Sequence, residues 1–252
     1  MTLSLSIWKI KSVPASEITI HHLLTHQSGL PNNYAADGIE SIEAAISKIF
    51  SSPLKSRPGE GFIYSGNNYS LLAMIIEKVG QKSWEDFIQE NILNPLDMGS
   101  TIFWYQYHDS EQSKVIPNFK PKNKIKNRNY GYVGPTGIFS TAHDLVKLNR
   151  LFTMNTLLTI ESMETLNRGI IKLQSEEPFD KNEYGYGLFV KAIGDKNIVS
   201  LRGNEEGWGN AISYFIKEND VSIVVLSNVD ELKDGKRPHI ALSQEIIKIL
   251  EF

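Results

Sequence analysis

The fold is decided by residues 198–228, which read IVSLRGNEEGWGNAISYFIKENDVSIVVLSN. This stretch contains three short runs rich in β-branched and aromatic residues, and Gly, Asn and Asp separate the runs. Such runs are typical of strands joined by tight connections. A similar run, YGLFVKAI, precedes them at residues 186–193. The pattern therefore predicts an antiparallel sheet in the second half of the chain.

The part of the chain before this sheet has the spacing of helices instead. Apolar residues recur at intervals of three and four, and the segments are bounded by Ser or Thr caps and by Gly or Pro stops. The predicted helices cover residues 18–26, 39–50, 69–79, 84–93, 141–152 and 159–168, and a last amphipathic helix covers 240–250. An amphipathic helix after a set of strands is expected to cover one face of the sheet.

This order of elements predicts the α+β class in one folded unit. Residues 1–17 form a short N-terminal segment, residues 18–170 a mostly helical region, and residues 171–252 the antiparallel strands with the C-terminal helix. No repeat or low-complexity linker divides the sequence.

The composition of the 252 residues is that of an ordinary globular protein, with 41% hydrophobic and 22% charged residues. A formal net charge of −3 lacks the basic excess of a nucleic-acid-binding protein, so no nucleic-acid partner is predicted. The basic stretch KPKNKIKNR at residues 120–128 lies among Asn and Pro. It predicts a solvated loop, with a contact for an anionic group as the alternative.

The sequence contains no transmembrane segment, because no apolar run reaches about 18 residues. Met1 is not followed by the basic region and apolar core of a signal peptide. As written, the sequence predicts a cytoplasmic protein. A signal peptide upstream of Met1 would instead predict a periplasmic or secreted one.

A possible site lies in FIYSGNNYSLL, residues 62–72, which follows the turn PGEG at residues 58–61. Tyr64 is the reactive candidate, and a phenol has a pKa of about 10. It acts as a base at neutral pH only where a neighbouring cation lowers that value. The alternative is a Tyr packed at the start of a helix with its hydroxyl bonded to backbone.

Metal and cofactor sites are not predicted. His22 and His26 lie four residues apart on one helical face, but the sequence suggests no third ligand. Histidines that satisfy nearby backbone groups are the preferred interpretation. The sequence also lacks a phosphate or dinucleotide loop, and it has no Cys for a disulfide or thiolate.

Several segments, in this order, resemble the serine β-lactamase family, in the branch that contains class C β-lactamases, penicillin-binding carboxypeptidases and related esterases. The resemblance rests on ITIHHLLTHQSGLP at residues 18–31, the stretch at 57–101, GPTGIFSTAHDLVKL at 134–148, YGYGL at 184–188 and the stretch at 201–228. It implies the β-lactamase/transpeptidase-like fold, an antiparallel sheet covered by helices with a mostly helical domain beside it. It also implies an active site in the cleft between the two.

The resemblance implies a serine hydrolase reaction on an amide, an ester or a cell-wall peptide. A Ser in a Ser-x-x-Lys motif attacks the carbonyl and forms an acyl-enzyme, and a Tyr in a Tyr-x-Asn motif assists proton transfer. A strand bearing Lys or His, then a small residue, then Gly lines the other side. Tyr64 falls on the Tyr position and is the predicted catalytic residue.

The chain departs from these motifs at two places. Gly66 replaces the Asn of Tyr-x-Asn, and Asn67 is the candidate to replace it in substrate binding. On the strand, Leu201 stands at the Lys or His position and carries no charge.

The predicted substrate-binding residues on the strand are Leu201, Arg202, Gly203 and Asn204. Arg202 is a candidate contact for an acidic part of the substrate, although strand alternation points it away from the missing cation unless a slip or bulge intervenes. The backbone N–H of Asn204 is a candidate oxyanion donor.

The nucleophile is the third departure. The chain contains two Ser-x-x-Lys sequences, SIWK at Ser6 to Lys9 and SPLK at Ser52 to Lys55. The first lies close to the next helix, and Pro53 interrupts the second, so both are poor candidates. We therefore expect the N-terminal strands and the nucleophile helix of the family to be missing from an N-terminally truncated chain.

This expectation has functional consequences. The chain alone is predicted to be an inactive serine hydrolase, whose sheet edge would be left uncovered and open to association. Its partner would be a small-molecule or peptide substrate. The alternative is a degenerate, non-catalytic binding or regulatory module of the same fold.

Overall fold

The computed structural model describes residues 16–106, 127–152, 157–173, 183–193, 196–205, 208–232 and 234–250. Ser6 and most of the segment 1–17 lie outside the described residues, as do residues 120–126 of the basic stretch. The chain forms two compact units that alternate along the sequence: unit 1 is Met1–Gln89 with Lys126–Gly137, and unit 2 is Glu90–Ile125 with Ile138–Phe252. The sequence-based boundaries at residues 17 and 170 remain predictions.

Unit 1 is built on helices whose starts are set by side-chain caps. They are α1 (Ile20–Leu24), α2 (Ile42–Ile49), α3 (Gly66–Gly80) and α4 (Trp84–Ile88). Thr19 is the N-cap of α1 and accepts a hydrogen bond from the His22 N–H. Ser41 and Ser83 cap α2 and α4 in the same way.

Helix α3 lies against α1 and α2 and supplies much of the interior of unit 1. Leu71 and Met74 of α3 are fully buried, as are Leu23 of α1 and Ile49 of α2. Burying such side chains contributes about 1.5–3 kcal/mol each. This apolar packing fixes the N-terminal end of α3, which carries the candidate site.

Unit 2 begins with short elements. The π-helical turn Gln89–Leu93 starts at the last residue of unit 1, and β1 (Ile102–Phe103) pairs antiparallel with β2 (Ile138–Phe139). Helix α5 (Ala142–Asn149) is capped by Thr141, which accepts from the Asp144 N–H. Helix α6 (Ile160–Leu166) follows, and short 3₁₀ turns occupy Trp104–Gln106, Arg150–Phe152 and Lys217–Asn219.

The rest of unit 2 is an antiparallel sheet with strands in chain order, followed by a helix. The elements are β3 (Ile171–Lys172), β4 (Glu183–Tyr184), β5 (Phe189–Ile193), β6 (Lys196–Glu205), β7 (Gly209–Ile216), β8 (Val221–Ser227) and α7 (Pro238–Ile249). The predicted α+β class and antiparallel sheet are confirmed.

The two faces of this sheet pack against different partners. One face forms a buried cluster of Ile198, Ile212, Tyr214, Ile216, Ile223 and Val225 with Ile247 of α7. The other buries Val199 and Phe215 against Phe152 and Leu188. The C-terminal helix therefore covers one sheet face, as its amphipathic pattern predicts.

The predicted helices differ in extent from those of the structure, and the helix predicted at 39–50, for example, is Ile42–Ile49. Three other differences bear on the site or on the helix type. The helix at 18–26 ends at Leu24, because His26 adopts a left-handed backbone with φ 55°. The helix at 69–79 begins at Gly66, three residues earlier. The helix at 84–93 divides into α4 and the π-helical turn.

In the basic stretch only residues 127 and 128 are described, and the prediction of a solvated loop is corrected for Arg128. Arg128, its last residue, is not a solvated side chain, because it pairs with Glu77 and Glu85 of unit 1. Its partners are acidic residues whose side chains are 9% and 4% exposed.

Among the helices of the described ranges, none combines the length and apolar character needed to cross a membrane.

Candidate active site

Tyr64 lies on the loop that leads into α3, one residue before the N-cap Ser65. Its side chain is 51% exposed, while its ring rests on a buried aromatic group. That group is centred on His26, whose ring centroid lies 4.2 Å from that of Tyr64 and 5.2 Å from that of Tyr69. The Tyr64 ring thus packs against His26, while about half of the side chain is open to solvent.

His26 binds the residues on both sides of Tyr64. The Ile63 N–H donates to the His26 carbonyl oxygen over 2.8 Å, and the Ser65 N–H donates to His26 Nδ1 over 3.2 Å. The left-handed backbone of His26 makes this possible, since it turns the carbonyl and the ring toward the same segment. Tyr64 is therefore held at a fixed place between two hydrogen bonds.

The same contacts set the protonation of His26. A backbone N–H can only donate, so Nδ1 must accept and the ring proton of the neutral form resides on Nε2. Asn68 Nδ2 lies 2.9 Å from the same Nδ1. Burial lowers the pKa of His26 to about 4, so the ring is neutral at physiological pH.

His22 has a structural role of its own. Its Nδ1 accepts from the Thr19 N–H over 3.3 Å, which completes the cap of α1. His26, by contrast, supports the Tyr64 loop, so the two histidines act on different segments. Within the ranges that the structure describes, no group of three His, Cys, Asp or Glu side chains could hold a metal ion.

Asn67 anchors the loop at residues 31–35 to α3. Its side chain is 1% exposed, and Nδ2 donates to the Pro31 carbonyl and to Asn33 Oδ1, both over 2.8 Å. Its Oδ1 accepts from the Ala35 N–H over 3.1 Å. A direct substrate contact by Asn67 remains a prediction, and it would require the amide to exchange these partners.

Gly66 faces a crowded part of the same loop. A Cβ at this position would lie 3.3 Å from Cε1 of Tyr34 and 3.5 Å from Cβ of Pro135. The Gly66 N–H also donates to Asn32 Oδ1 over 3.0 Å. A larger side chain would have to displace the Tyr34 ring, which gives a steric reason for Gly at the place where the motif has Asn.

Tyr64 is a hydrogen-bond donor at neutral pH. Partial burial of the phenol raises its pKa, and the nearby Tyr34 raises it further. A protonated phenol can give its proton to a leaving group, whereas action as a base would require a cation close to the oxygen.

The strand residues of the predicted site lie on β6 in unit 2, and they are described separately from Tyr64 and Asn67 of unit 1. Leu201 packs against the cluster of Val199 and Phe215. Arg202 is on the opposite face, where its guanidinium carbon lies 5.5 Å from the centre of the Phe189 ring.

The register of β6 against β7 is regular from Ile198 opposite Ile216 to Glu205 opposite Gly209. The alternation predicted for Leu201 and Arg202 therefore holds, without the slip or bulge that would reverse it. Contact of Arg202 with an acidic substrate group remains a prediction, and it would draw the guanidinium away from Phe189.

Gly203 and Asn204 lie toward the end of the same strand. Gly203 is paired with Ala211, and both Gly203 and Asn204 are exposed. The Asn204 amide donates to Asn210 Oδ1, and Asn210 in turn donates to the Val229 carbonyl over 3.2 Å. The proposed oxyanion role of the Asn204 N–H remains a prediction.

The sequence Ser52 to Lys55 does not have the helical form that a Ser-x-x-Lys nucleophile needs. These residues form bends and irregular backbone. Ser52 Oγ accepts from Asn33 Nδ2 over 3.3 Å, and the Lys55 N–H donates to the Gly29 carbonyl over 2.8 Å. Ser6 and Lys9 lie outside the described residues.

Sequence reasoning missed the residues that support the site. Asn68 was not singled out, yet it is buried and joins His26 to Ser28, whose Oγ donates to Asn68 Oδ1 over 2.5 Å. Tyr34 and His26 were not connected to Tyr64. Two consecutive Asn residues at the start of a helix, where side-chain amides compete with helical bonds, were the available signal.

Comparisons with known proteins agree with this fold. The family model described as Beta-lactamase matches residues 8–245. Penicillin-binding protein 4* of Bacillus subtilis is 25% identical over 93% of this chain and 56% of its own length, and the putative penicillin-binding protein PbpX of the same organism is 25% identical over 84% and 51%. The chain thus spans about half the length of these curated relatives.

Two solved structures illustrate the likeness. The octameric penicillin-binding protein homologue from Pyrococcus abyssi superposes with a TM-score of 0.75 at 25% identity, covering 96% of this chain and 58% of that one. D-amino acid amidase from Ochrobactrum anthropi superposes with a TM-score of 0.77 at 20% identity, covering 98% and 77%. The second likeness concerns the fold alone.

Proposed function

The chain belongs to the β-lactamase family, whose members share a serine hydrolase fold, and from this premise we propose that its site serves acyl transfer from a small amide, an ester or a cell-wall peptide. The observation that carries the proposal is the placement of Tyr64. A half-exposed phenol is fixed by hydrogen bonds on both sides at the start of α3. Such fixed placement is what proton transfer during catalysis requires.

In the proposed reaction, a serine oxygen attacks the carbonyl carbon and the bond to the leaving nitrogen or oxygen breaks. The product is a serine ester, which water then hydrolyses to the free acid. The proton that the serine hydroxyl releases passes to the Lys of the Ser-x-x-Lys motif, while Tyr64 gives its own proton to the leaving group and is then reprotonated from that Lys. The raised pKa of Tyr64 keeps the phenol protonated at neutral pH, as a donor must be.

On β6, the backbone N–H of Asn204 is the proposed donor to the oxyanion of the tetrahedral intermediate. Gly203 would let the substrate approach the strand closely, because it has no side chain. Leu201 supplies apolar contact in place of the charge that the motif carries. Asn67 acts mainly through the loop that it anchors.

We expect the 252-residue chain to leave these substrates unhydrolysed. Of the two Ser-x-x-Lys sequences, Ser6 to Lys9 lies close in sequence to the next helix and Ser52 to Lys55 is not helical, so we expect neither to supply the nucleophile that Tyr64 would assist. The test is incubation of the purified chain with a chromogenic cephalosporin and with p-nitrophenyl acetate, beside a Tyr64→Phe variant. Turnover that is present in the chain and lost in Tyr64→Phe would contradict the expected inactivity and support the hydrolase.

A second candidate function is a non-catalytic binding module of the same fold. It is favoured by Leu201, which carries no charge at the position of a cationic residue, and by the raised pKa of Tyr64, which keeps the phenol from acting as a base at neutral pH. A fluorescent penicillin distinguishes the two functions. Label that survives denaturation indicates an acyl-enzyme, whereas saturable label that denaturation releases indicates the binding module.

A further inference from the structure

Tyr34 combines an exposed aromatic ring with a constrained backbone. Its side chain is 54% exposed, and its backbone is left-handed with φ 47°. A residue with a Cβ rarely adopts this conformation, which is disfavoured sterically. Strain of this kind persists only where the surrounding structure imposes it, and it is frequent in functional sites.

Hydrogen bonds on both sides of Tyr34 hold its backbone in this conformation. Asn67 binds the residue on each side of Tyr34, because its Nδ2 donates to Asn33 Oδ1 and its Oδ1 accepts from the Ala35 N–H. The Tyr34 carbonyl accepts from the Asp37 N–H over 2.9 Å. The backbone that carries the ring is therefore fixed although the ring itself meets solvent.

The ring lies beside the two residues that define the candidate site. Its Cε1 and Cδ1 atoms would lie 3.3 Å and 3.5 Å from a Cβ at Gly66, so the ring takes the space of a side chain at that position. Tyr34 is also close enough to Tyr64 to act on it electrostatically. A ligand whose carbonyl approaches Tyr64 would meet the Tyr34 ring next.

We propose that Tyr34 is a specificity-determining residue whose fixed ring packs against an aromatic or aliphatic acyl group of the substrate. This inference rests on the proposed function, since it requires the substrate carbonyl to lie at Tyr64. With Gly66 the site has no side-chain amide at this position, and the Tyr34 ring offers apolar contact instead. The anchored backbone reduces the entropy lost when a ligand packs on the ring.

Two penicillins test the inference on the full chain. Benzylpenicillin carries a phenylacetyl group, and 6-aminopenicillanic acid has the same bicyclic nucleus without it. NMR titration, which measures dissociation constants into the millimolar range, is applied to wild type, Tyr34→Phe and Tyr34→Asn. Phe keeps the ring, whereas Asn removes it and tolerates the left-handed backbone.

We expect wild type and Tyr34→Phe to bind benzylpenicillin about five times more tightly than 6-aminopenicillanic acid, as one aromatic contact allows. In Tyr34→Asn this preference should disappear, while the affinity for 6-aminopenicillanic acid stays within about twofold. The melting temperature and amide spectrum verify that each variant is folded. If Tyr34→Asn does not fold, Tyr34→Gly replaces it, because Gly is also compatible with the backbone.

The failures of the inference and of the proposed function are distinguishable. A preference that Tyr34→Asn retains, or an equal loss of affinity for both penicillins, would overturn the inference and leave the proposed function standing. If wild type binds neither penicillin saturably, the proposed function is overturned and the inference with it.

Discussion

His26 determines where Tyr64 lies, because it binds the backbone of the residues on either side of it. Asn in its place keeps an acceptor close to the Nδ1 position and tolerates the backbone of φ 55°. Gln carries its acceptor one bond farther out. We expect His26→Gln to lower the free energy of unfolding by about 2 kcal/mol and His26→Asn by about half as much. Urea denaturation measures both, and equal losses would show that the Nδ1 acceptor is not the important atom.

The same residue makes stability depend on pH. Burial lowers the pKa of His26 from 6.5 to about 4, so between these values the unfolded chain binds more protons than the folded chain at this site. The stabilisation is complete above about pH 6.5 and is lost as the pH falls toward 4, by about 3 kcal/mol in total.

The measurement compares the free energy of unfolding at pH 7 and pH 4.5 in wild type and in His26→Asn. Burial also lowers the pKa values of His22 and His239, but these groups are present in both proteins. The variant should therefore lose less stability on acidification than wild type. An identical loss in the two proteins would assign the pH dependence to other groups.

Helices and strands whose bounds depend on residues close to them in sequence could be predicted. Thr19 and Thr141 cap helices through residues three positions away, and β6 and β7 follow from their own β-branched residues. The start of α3 could not be predicted in this way. Ser65 begins the helix early, and its Oγ donates to the Pro31 carbonyl, 34 residues away in sequence.

The candidate site shows the same limit. Tyr64 stands in a recognisable stretch, so its place in the loop before α3 could be predicted, while its catalytic role stays a prediction. Its supports could not, because His26, Asn67 and Tyr34 act through contacts between segments more than 30 residues apart. Neither periodicity nor capping patterns carry information about such contacts.

Helix α7 offers a matched test of how the sheet is covered. Ile247 is 1% exposed within the cluster of β6, β7 and β8, whereas Ile249 on the same helix is 78% exposed. Ile247→Ala removes buried methyl groups and should cost about 3 kcal/mol of unfolding free energy. Ile249→Ala should cost less than about 0.5 kcal/mol. Thermal and urea denaturation of the two variants measure the effect of the same chemical change at both positions. Similar losses of unfolding free energy would mean that α7 does not cover the sheet face formed by β6, β7 and β8.

At the level of the whole molecule, unit 1 is formed by two separate segments of the chain, Met1–Gln89 (the first pass) and Lys126–Gly137 (the second pass). A group of ionic side chains joins these two passes. Arg128 of the second pass donates to both carboxylate oxygens of Glu85 over 3.0 Å and 2.9 Å, and also to Glu77. Tyr130 donates to Glu77 as well, and partial burial together with this carboxylate raises the pKa of Tyr130 to about 12. The desolvated carboxylates of α3 and α4 thus depend on a residue that follows them by more than 40 positions.

This arrangement predicts that Arg128→Ala destabilises the protein far more than removal of a surface ion pair. Glu77 and Glu85 would keep buried charges without a cationic partner, at a cost of about 3 kcal/mol. Arg128→Lys should recover about half of this, since an ammonium group keeps the charge but not the forked geometry. Lys236→Ala is the control, because its pair with Asp234 is exposed to solvent and contributes little to stability. Urea denaturation at pH 7 ranks the three variants, and an Arg128→Ala cost no greater than that of Lys236→Ala would mean that the second pass is held by its apolar contacts alone.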